Sequence, residues 1–202
     1  EPMFGWTRRA PDTRLIGPEI YLRAPRRADQ EAWLEIRRLS RDFLEPWEPS
    51  WPSDSLTPMG FRRRLNRFLS DWDAGTGYAF FIFRKADDAL LGGITLANVR
   101  RGVVQSANVG YWIGLPHTRR GHMSEALQIV LHFCFSTLQL HRVEAATLPE
   151  NLASRGLLER AGFRQEGLAR QYLCIAGRWQ DHVTFGILKD DPRPEVAVLE
   201  AE

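Results

Sequence analysis

The sequence predicts a single α/β domain: a mixed sheet of about seven strands, an antiparallel meander then a parallel crossover, flanked by about four helices. Three observations predict it. The segment Ser106–Ile113 alternates as a strand, with Val109, Tyr111 and Ile113 at period two. A helical stripe and a second strand follow it, a crossover long enough to set the two strands parallel. With two strand-like runs upstream, Tyr78–Phe83 and Leu90–Val99, the Ser106–Ile113 segment makes three consecutive strands joined by short links, a meander. At 202 residues, 44% hydrophobic and 26% charged, the chain is long enough to bury one core and short for two.

Residues 1–18 carry Arg8, Arg9 and Arg14 with Pro11 and Pro18, and read as a loose lead-in. Glu19–Arg23 is a short strand. Asp29 is placed to cap a helix in which Ala32, Ile36, Leu39 and Phe43 form the apolar stripe. Between Leu44 and Pro52, three prolines forbid a continuing helix. Trp47 and Trp51 in that loop either cover the edge of the core or wall an acceptor pocket. The next helix buries Phe61, Leu65, Phe68, Leu69 and Trp72; Arg62, Arg63, Arg64 and Arg67 make its other side, a solvated face or a lure for an anionic partner. Tyr78–Phe83 and Leu90–Val99 are strands around a turn at Asp87-Asp88.

The central segment then breaks at Gly114-Leu115-Pro116 and runs through a basic loop, His117 to Gly121. Met123, Leu127, Val130, Leu131, Cys134 and Leu138 make one helical stripe. A helix N-terminus leaves backbone N–H groups unpaired and carries partial positive charge, so it suits phosphate, and two arginines beside it add charge-assisted contacts. One glycine is neither a P-loop nor a dinucleotide fingerprint, and the loop also reads as an ordinary strand-to-helix turn. Arg142–Leu148 is the second crossover strand. Asn151 caps a helix ending at Ala161, with Gly162 at the C′ position and Phe163 folding back. Tyr172–Ile175 and Trp179–Leu188 are strands joined by a turn at Ala176-Gly177. Residues 19–188 make the expected domain, and 189–202 a mobile tail.

Composition excludes several classes. Net charge is +2, from 27 basic and 25 acidic residues, so no global field argues for direct nucleic-acid binding. No apolar run reaches the ~18 residues of a membrane span, and the first residues lack the apolar core of a secretory signal. Cys134 and Cys174 have no metal-type spacing; they read as reduced core thiols in a reducing, cytoplasmic compartment. No metal-ligand cluster and no Ser-His-Asp pattern point to other chemistry.

Taken together, the motifs resemble the GNAT superfamily of acetyl-CoA-dependent N-acetyltransferases. Thr118-Arg119-Arg120-Gly121-His122-Met123 matches that superfamily's (Q/R)-x-x-G-x-(G/A) loop, and Pro149 to Phe163 matches its later helix. Thr118 stands where Gln or Arg is usual, and Met123 where Gly or Ala is usual. The Arg142-Val143-Glu144-Ala145 strand, the pair Asn151 and Ser154, and Gly177 to His182 look most like the RimJ/RimL-type ribosomal-protein-alanine N-acetyltransferases. The resemblance covers residues 19–188.

It implies a GNAT-like domain with acetyl-CoA as donor and no metal. The pantetheine arm is expected to pair with the strand edge Tyr111-Trp112-Ile113, and the phosphates to sit in a cradle of Arg119, Arg120, Gly121, His122, Met123 and Ser124 with Asn151 nearby. His122 is better placed for a main-chain role there than as a base. Many relatives carry a tyrosine donor at the position of Leu158; here the hydroxyl that protonates the departing thiolate is expected to be Ser154. For the general base the sequence offers Glu144 or Glu45, either of which reads equally as a partner for an arginine. Asp181 and His182 do not read as a dyad, because adjacent strand residues face opposite ways. Trp47 and Trp51 are the expected acceptor contacts. The expected acceptor is a protein N-terminal α-amine, ribosomal protein foremost. The alternatives are a small amine such as an aminoglycoside or polyamine, or a CoA-binding module without catalysis. No membrane partner is expected.

Overall fold

The alternating segments assemble into one nine-stranded sheet in a computed structural model that describes residues 10–201. In chain order the elements are β1 (Arg14–Ile16), β2 (Ile20–Arg23), α1 (Gln30–Leu39), α2 (Arg41–Leu44), α3 (Pro58–Ala74), β3 (Tyr78–Arg84) and β4 (Leu90–Arg100). They continue with β5 (Ser106–Ile113), α4 (His122–His132), β6 (Arg142–Thr147), α5 (Leu152–Arg160), β7 (Arg164–Ile175), β8 (Arg178–Leu188) and β9 (Leu199–Ala201). The strand order is β7-β8-β6-β5-β4-β3-β2-β1-β9. The meander β3-β4-β5 is antiparallel, and β5 and β6 are parallel, as the crossover length requires.

That parallel pairing is short. It joins Ser106, Ala107 and Asn108 to Arg142, Val143 and Glu144, and then stops, although both strands continue. Beyond it β5 remains paired to β4 and β6 to β8, so the two strands part and each leaves one main-chain edge open.

Alternation gives the sheet two faces. Ala107, Val109, Val143, Ala145, Val183 and Phe185 share one core with Leu127 and Val130 of α4 and Leu158 of α5. Trp33, Ile36, Phe61, Leu65, Phe81 and Phe83 form a second core between the other face and α1 and α3. Fully burying each such side chain contributes about 1.5–3 kcal/mol. Thr57 caps α3 by accepting the Gly60 N–H (3.1 Å), and Gly75 ends it at φ 67°. No helix among the described residues is long and apolar enough to cross a membrane.

Several expectations are corrected. The sheet has two more strands than the sequence suggested, β1 and β9, which fall within the expected lead-in and tail. They pair with each other at the sheet edge, around the fully buried Leu15, and three residues are too few to show a period. Arg8 and Arg9 lie outside the described residues. β7 starts at Arg164, eight residues before the expected Tyr172; as an exposed edge strand it needs no apolar alternation. In α1 the buried residues are Trp33, Leu34, Ile36 and Arg37, while Leu39 is 61% exposed. The helix breaks at buried Ser40, whose Oγ accepts the Leu115 N–H (2.9 Å). Cys134 is buried as expected, but Cys174 lies exposed on β7.

Asp29 does not cap α1 with its side chain. Its carboxylate takes both ends of the Arg23 guanidinium at 2.7 and 2.8 Å and the Arg26 N–H at 2.8 Å, all in a buried corner where β2 turns into α1. Asp29→Ala strands a buried guanidinium. It should lower stability by about 3–5 kcal/mol, read as a fall in denaturant midpoint with an unchanged slope.

Candidate active site

The gap between β5 and β6 is filled by a cavity of about 1630 Å³ whose walls come from both faces of the sheet. From the α4/α5 face come Tyr111, the loop Arg119 to Ser124, Asn151 to Ser154, and Leu157 and Leu158. From the α1/α3 face come Trp47, Glu48, Tyr172 and His182. The parted strands thus connect two sides of a layer that a continuous ladder would have sealed.

On the α4/α5 side the loop turns sharply. Arg119 and Gly121 both have positive φ, 60° and 81°. A Cβ on Gly121 would meet no protein atom within 4 Å, so the glycine keeps open the space in front of the helix. No side chain caps α4, which leaves the first N–H groups, at His122, Met123 and Ser124, for an anion. Arg119 and Arg120 stand exposed beside them. The two departures from the family pattern are accounted for locally. Met123 sends its side chain into the core, and the Thr118 hydroxyl donates to the Leu115 carbonyl at 3.0 Å, closing the turn. What the loop offers an anion is therefore main chain, with Arg119 and Arg120 beside it.

Asn151 caps α5 by accepting the Ser154 N–H at 3.1 Å. The Ser154 hydroxyl is thus spared from capping, and it meets the Tyr111 hydroxyl at 2.7 Å. Burial, the largest cause, pushes the Tyr111 phenol up to about 12, against the lowering effect of Ser154. Tyr111 therefore stays protonated at any working pH. Deeper on the wall, the buried Thr147 Oγ1 has no hydrogen-bond partner among the described residues. An orphaned hydroxyl of this kind costs about 1–3 kcal/mol when nothing pairs it, and it fits a ligand that brings a carbonyl. Cradle, open strand edge and orphaned hydroxyl all suit a phosphorylated, amide-bearing molecule.

The α1/α3 side is built around Arg37. Its buried guanidinium binds Glu48 at 2.9 and 2.6 Å and lies 4.2 Å from the Trp51 ring centre and 4.8 Å from that of Trp112. Trp51 Nε1 donates to Glu48 at 2.7 Å, and the Glu48 carbonyl accepts from Ala176 in the β7–β8 turn. The proline-rich loop is thereby tied to β5 and to the hairpin. Trp47, 40% exposed, is left on the cavity wall.

The expected site residues sort accordingly. Tyr111, Ile113, Arg119 to Ser124, Asn151, Ser154 and Trp47 are brought together around the cavity. Trp112 lines it too, but its side chain turns to Arg37 and leaves only main chain at the strand edge. Trp51 is not on the wall; it packs inside the clamp. Glu45 pairs with Arg41 at the surface (3.0 Å), one helical turn away. Glu144 is held by Arg142 (2.9 Å) and Arg100 (3.4 Å) and faces a second cleft of about 900 Å³ rather than the cavity. Both carboxylates are thus arginine partners. Of the Arg62–Arg67 cluster, Arg63 pairs with Asp54 (2.7 Å), and Arg64 lies over Trp33, its pKa lowered to about 10 chiefly by burial. The sequence reading missed the Tyr111 side chain, Thr147, Tyr172, Trp179 and His182.

A family model described as Acetyltransferase (GNAT) domain matches residues 19–164. The probable N-acetyltransferase YjcK of Bacillus subtilis (strain 168) is 37% identical over 177 residues, 88% of this chain and 98% of the relative. The [Ribosomal protein uS5]-alanine N-acetyltransferase of Escherichia coli (strain K12) is 32% identical over 194 residues, 95% of this chain and 99% of the relative. Among solved structures, Mycobacterium smegmatis RimJ in complex with CoA-disulfide superposes with a TM-score of 0.82 at 36% identity, over 88% of each chain.

The two loop tryptophans should separate on substitution. Trp51→Ala removes a hydrogen bond to a charged carboxylate and should cost about 1.5–3 kcal/mol of stability. Trp47→Ala should leave the unfolding midpoint nearly unchanged while raising the KM of the acceptor and sparing that of the donor.

Proposed function

We propose that this chain, which belongs to the GNAT acetyltransferase family and is an acetyl-CoA-dependent N-acetyltransferase, acts on the N-terminal α-amine of a protein, with ribosomal proteins as the foremost acceptors. The observation that carries this reading is the cavity through the sheet, with an anion cradle at one end and a fixed, aromatic-walled opening at the other. The near full-length likeness to a ribosomal-protein-alanine N-acetyltransferase supports the acceptor class. So does charge. The carboxylates on the cavity wall are Glu48 and Glu150, and Glu48 is neutralised by Arg37, a poor match for a small polycation.

In this reading the N–H groups of His122, Met123 and Ser124, with Arg119 and Arg120, hold the pyrophosphate. The open edge of β5 from Val109 to Ile113 pairs with the pantetheine amides as an added strand does. The Thr147 hydroxyl donates to a carbonyl of the arm. Acetyl-CoA supplies the thioester. The chain supplies the proton that the departing sulfur needs: the Tyr111 O–H donates to Ser154 Oγ, which frees the Ser154 O–H to donate to sulfur.

Binding is tested by linkage. At a hundredfold excess over its dissociation constant, acetyl-CoA should stabilise the fold by about 2.7 kcal/mol, seen as a rise in Tm. Gly121→Val places a branched side chain at φ 81° in the open space before α4. It should cost about 1–3 kcal/mol of stability and abolish the ligand response; no response in the unaltered protein would overturn the reading. Transfer is tested by thiol release with alanine-, serine- and methionine-starting peptides set against aminoglycosides.

Because Asn151 provides the cap, Ser154→Ala loses only the contact with the Tyr111 hydroxyl and should lower stability by about 1 kcal/mol. It should lower kcat by about ten- to a hundredfold, the low end for acid–base catalysis of a thiol leaving group, at unchanged acetyl-CoA affinity. Tyr111→Phe should lower kcat less, and adding it to Ser154→Ala should change nothing further, since the phenol acts through the serine.

A further inference from the structure

The reaction needs a base as well as an acid, and the carboxylates the sequence suggested are held by arginines. One buried titratable side chain on the cavity is not used by the chemistry so far. His182 is 2% exposed and lines the cavity from β8. Its Nδ1 lies 2.9 Å from the Gln180 carbonyl oxygen. A carbonyl only accepts, so Nδ1 carries the proton and Nε2 keeps its lone pair, with no hydrogen-bond partner among the described residues.

Its side of the sheet matters more. Val183, Phe185 and Ile187 of β8 lie in the α4/α5 core, so by alternation His182 faces the other way, toward the α1/α3 side. Tyr111 and Ser154 stand on the α4/α5 side, where the thiolate leaves. His182 stands across the parted strands, on the side walled by Trp47, where the amine arrives.

The neighbouring strand is shaped to serve this position. Pairing of β7 with β8 slips between Ala169 and Leu173, directly beside His182, and Gln171 takes a φ of 44°. Asp181, which faces away from the cavity, accepts the Gln171 N–H at 2.9 Å and holds the bulge. The bulge brings Tyr172 edge-on to the His182 ring, centroids 5.9 Å apart, at the point where the cavity adjoins the second cleft. The imidazole is thus fixed in tautomer by Gln180 and in place by Tyr172.

We infer that His182 is the catalytic base that takes the proton the acceptor ammonium must lose before attack. The inference rests on the acetyl-transfer reading. The ammonium gives one proton to His182 Nε2, which passes it to water. The free amine then attacks the thioester carbonyl; as the C–N bond forms and the C–S bond breaks, the amine's second proton balances the one the thiolate takes through Ser154. The other titratable groups on this side are Tyr172 of β7, Glu144 of β6 held by Arg142 and Arg100, and Glu48 of the loop held by Arg37.

The test uses the full chain, acetyl-CoA and a short peptide with an N-terminal alanine. His182→Gln should lower kcat about a hundredfold at neutral pH, with Tm and the KM of acetyl-CoA unchanged. The deficit should shrink as pH passes the amine's own pKa, about 8. An unimpaired kcat, or a deficit that persists at high pH, overturns the role. Should the glutamine variant fail to fold, His182→Asn takes its place, and the same two outcomes, an unimpaired kcat or a deficit that persists at high pH, overturn the inference. No transfer by the unaltered enzyme to any peptide or small amine removes the acetyl-transfer reading itself; transfer without dependence on His182 removes only this step.

Discussion

Everything at the site depends on the short ladder between β5 and β6. Three paired positions hold the crossover in register, and then the strands part. Unpaired main-chain groups inside a protein are costly, so the open edges persist only because each strand keeps its other neighbour, β4 or β8, and because the gap is a place for a ligand. The parting also sets the division of labour. Residues at odd positions of β5 and β6 look toward α4 and α5, even ones toward α1 and α3. In the proposed reading, a donor and an acceptor entering from opposite faces meet acid and base groups that share no strand face.

The second constraint is electrostatic. Arg37 is buried in an aromatic box, and a lone guanidinium there would be strongly destabilising. Glu48 neutralises it bidentately, Trp51 and Trp112 lie against it, and one nitrogen, Nε, lacks a partner among the described residues. Removing such a cluster altogether is often harmless to stability, so its value lies in specifying one arrangement. Here the arrangement joins α1, the proline-rich loop and β5. A Trp on β5 thereby serves the loop with its side chain and the open strand edge with its main chain.

Much of this was legible in the chain. Strong periodicities gave the meander, the crossover and α4, and the Asn151–Ser154 spacing gave a cap with a free hydroxyl. What was hidden is of two kinds. Edge strands β1, β7 and β9 are too short or too exposed to carry a pattern. And a residue's role depends on its partner: Glu45, Glu144 and Trp51 are chemically apt for the roles expected of them, but Arg41, Arg142 with Arg100, and Arg37 claim them at distances no sequence spacing encodes. His182 shows the converse. Alternation correctly split it from Asp181, yet the same alternation placed it on the cavity wall and Asp181 on the bulge.

The proposed acid is spread over two elements. The family pattern that the sequence resembles would place a phenol on the helix after the cap, at the position of Leu158. In this chain that position holds an apolar side chain, fully buried between the α4/α5 core and the cavity, which brings no hydroxyl. The hydroxyl chemistry is instead shared between two elements. Ser154 comes from the first turn of α5, where its backbone is pinned by Asn151, and Tyr111 comes from β5, the strand that borders the gap. A serine alone has a freely rotating O–H; where the neighbouring phenol donates to it, as proposed, the serine O–H is left to point elsewhere. In the proposed reading strand and helix together supply, from the two sides of one wall, what a single phenol would supply.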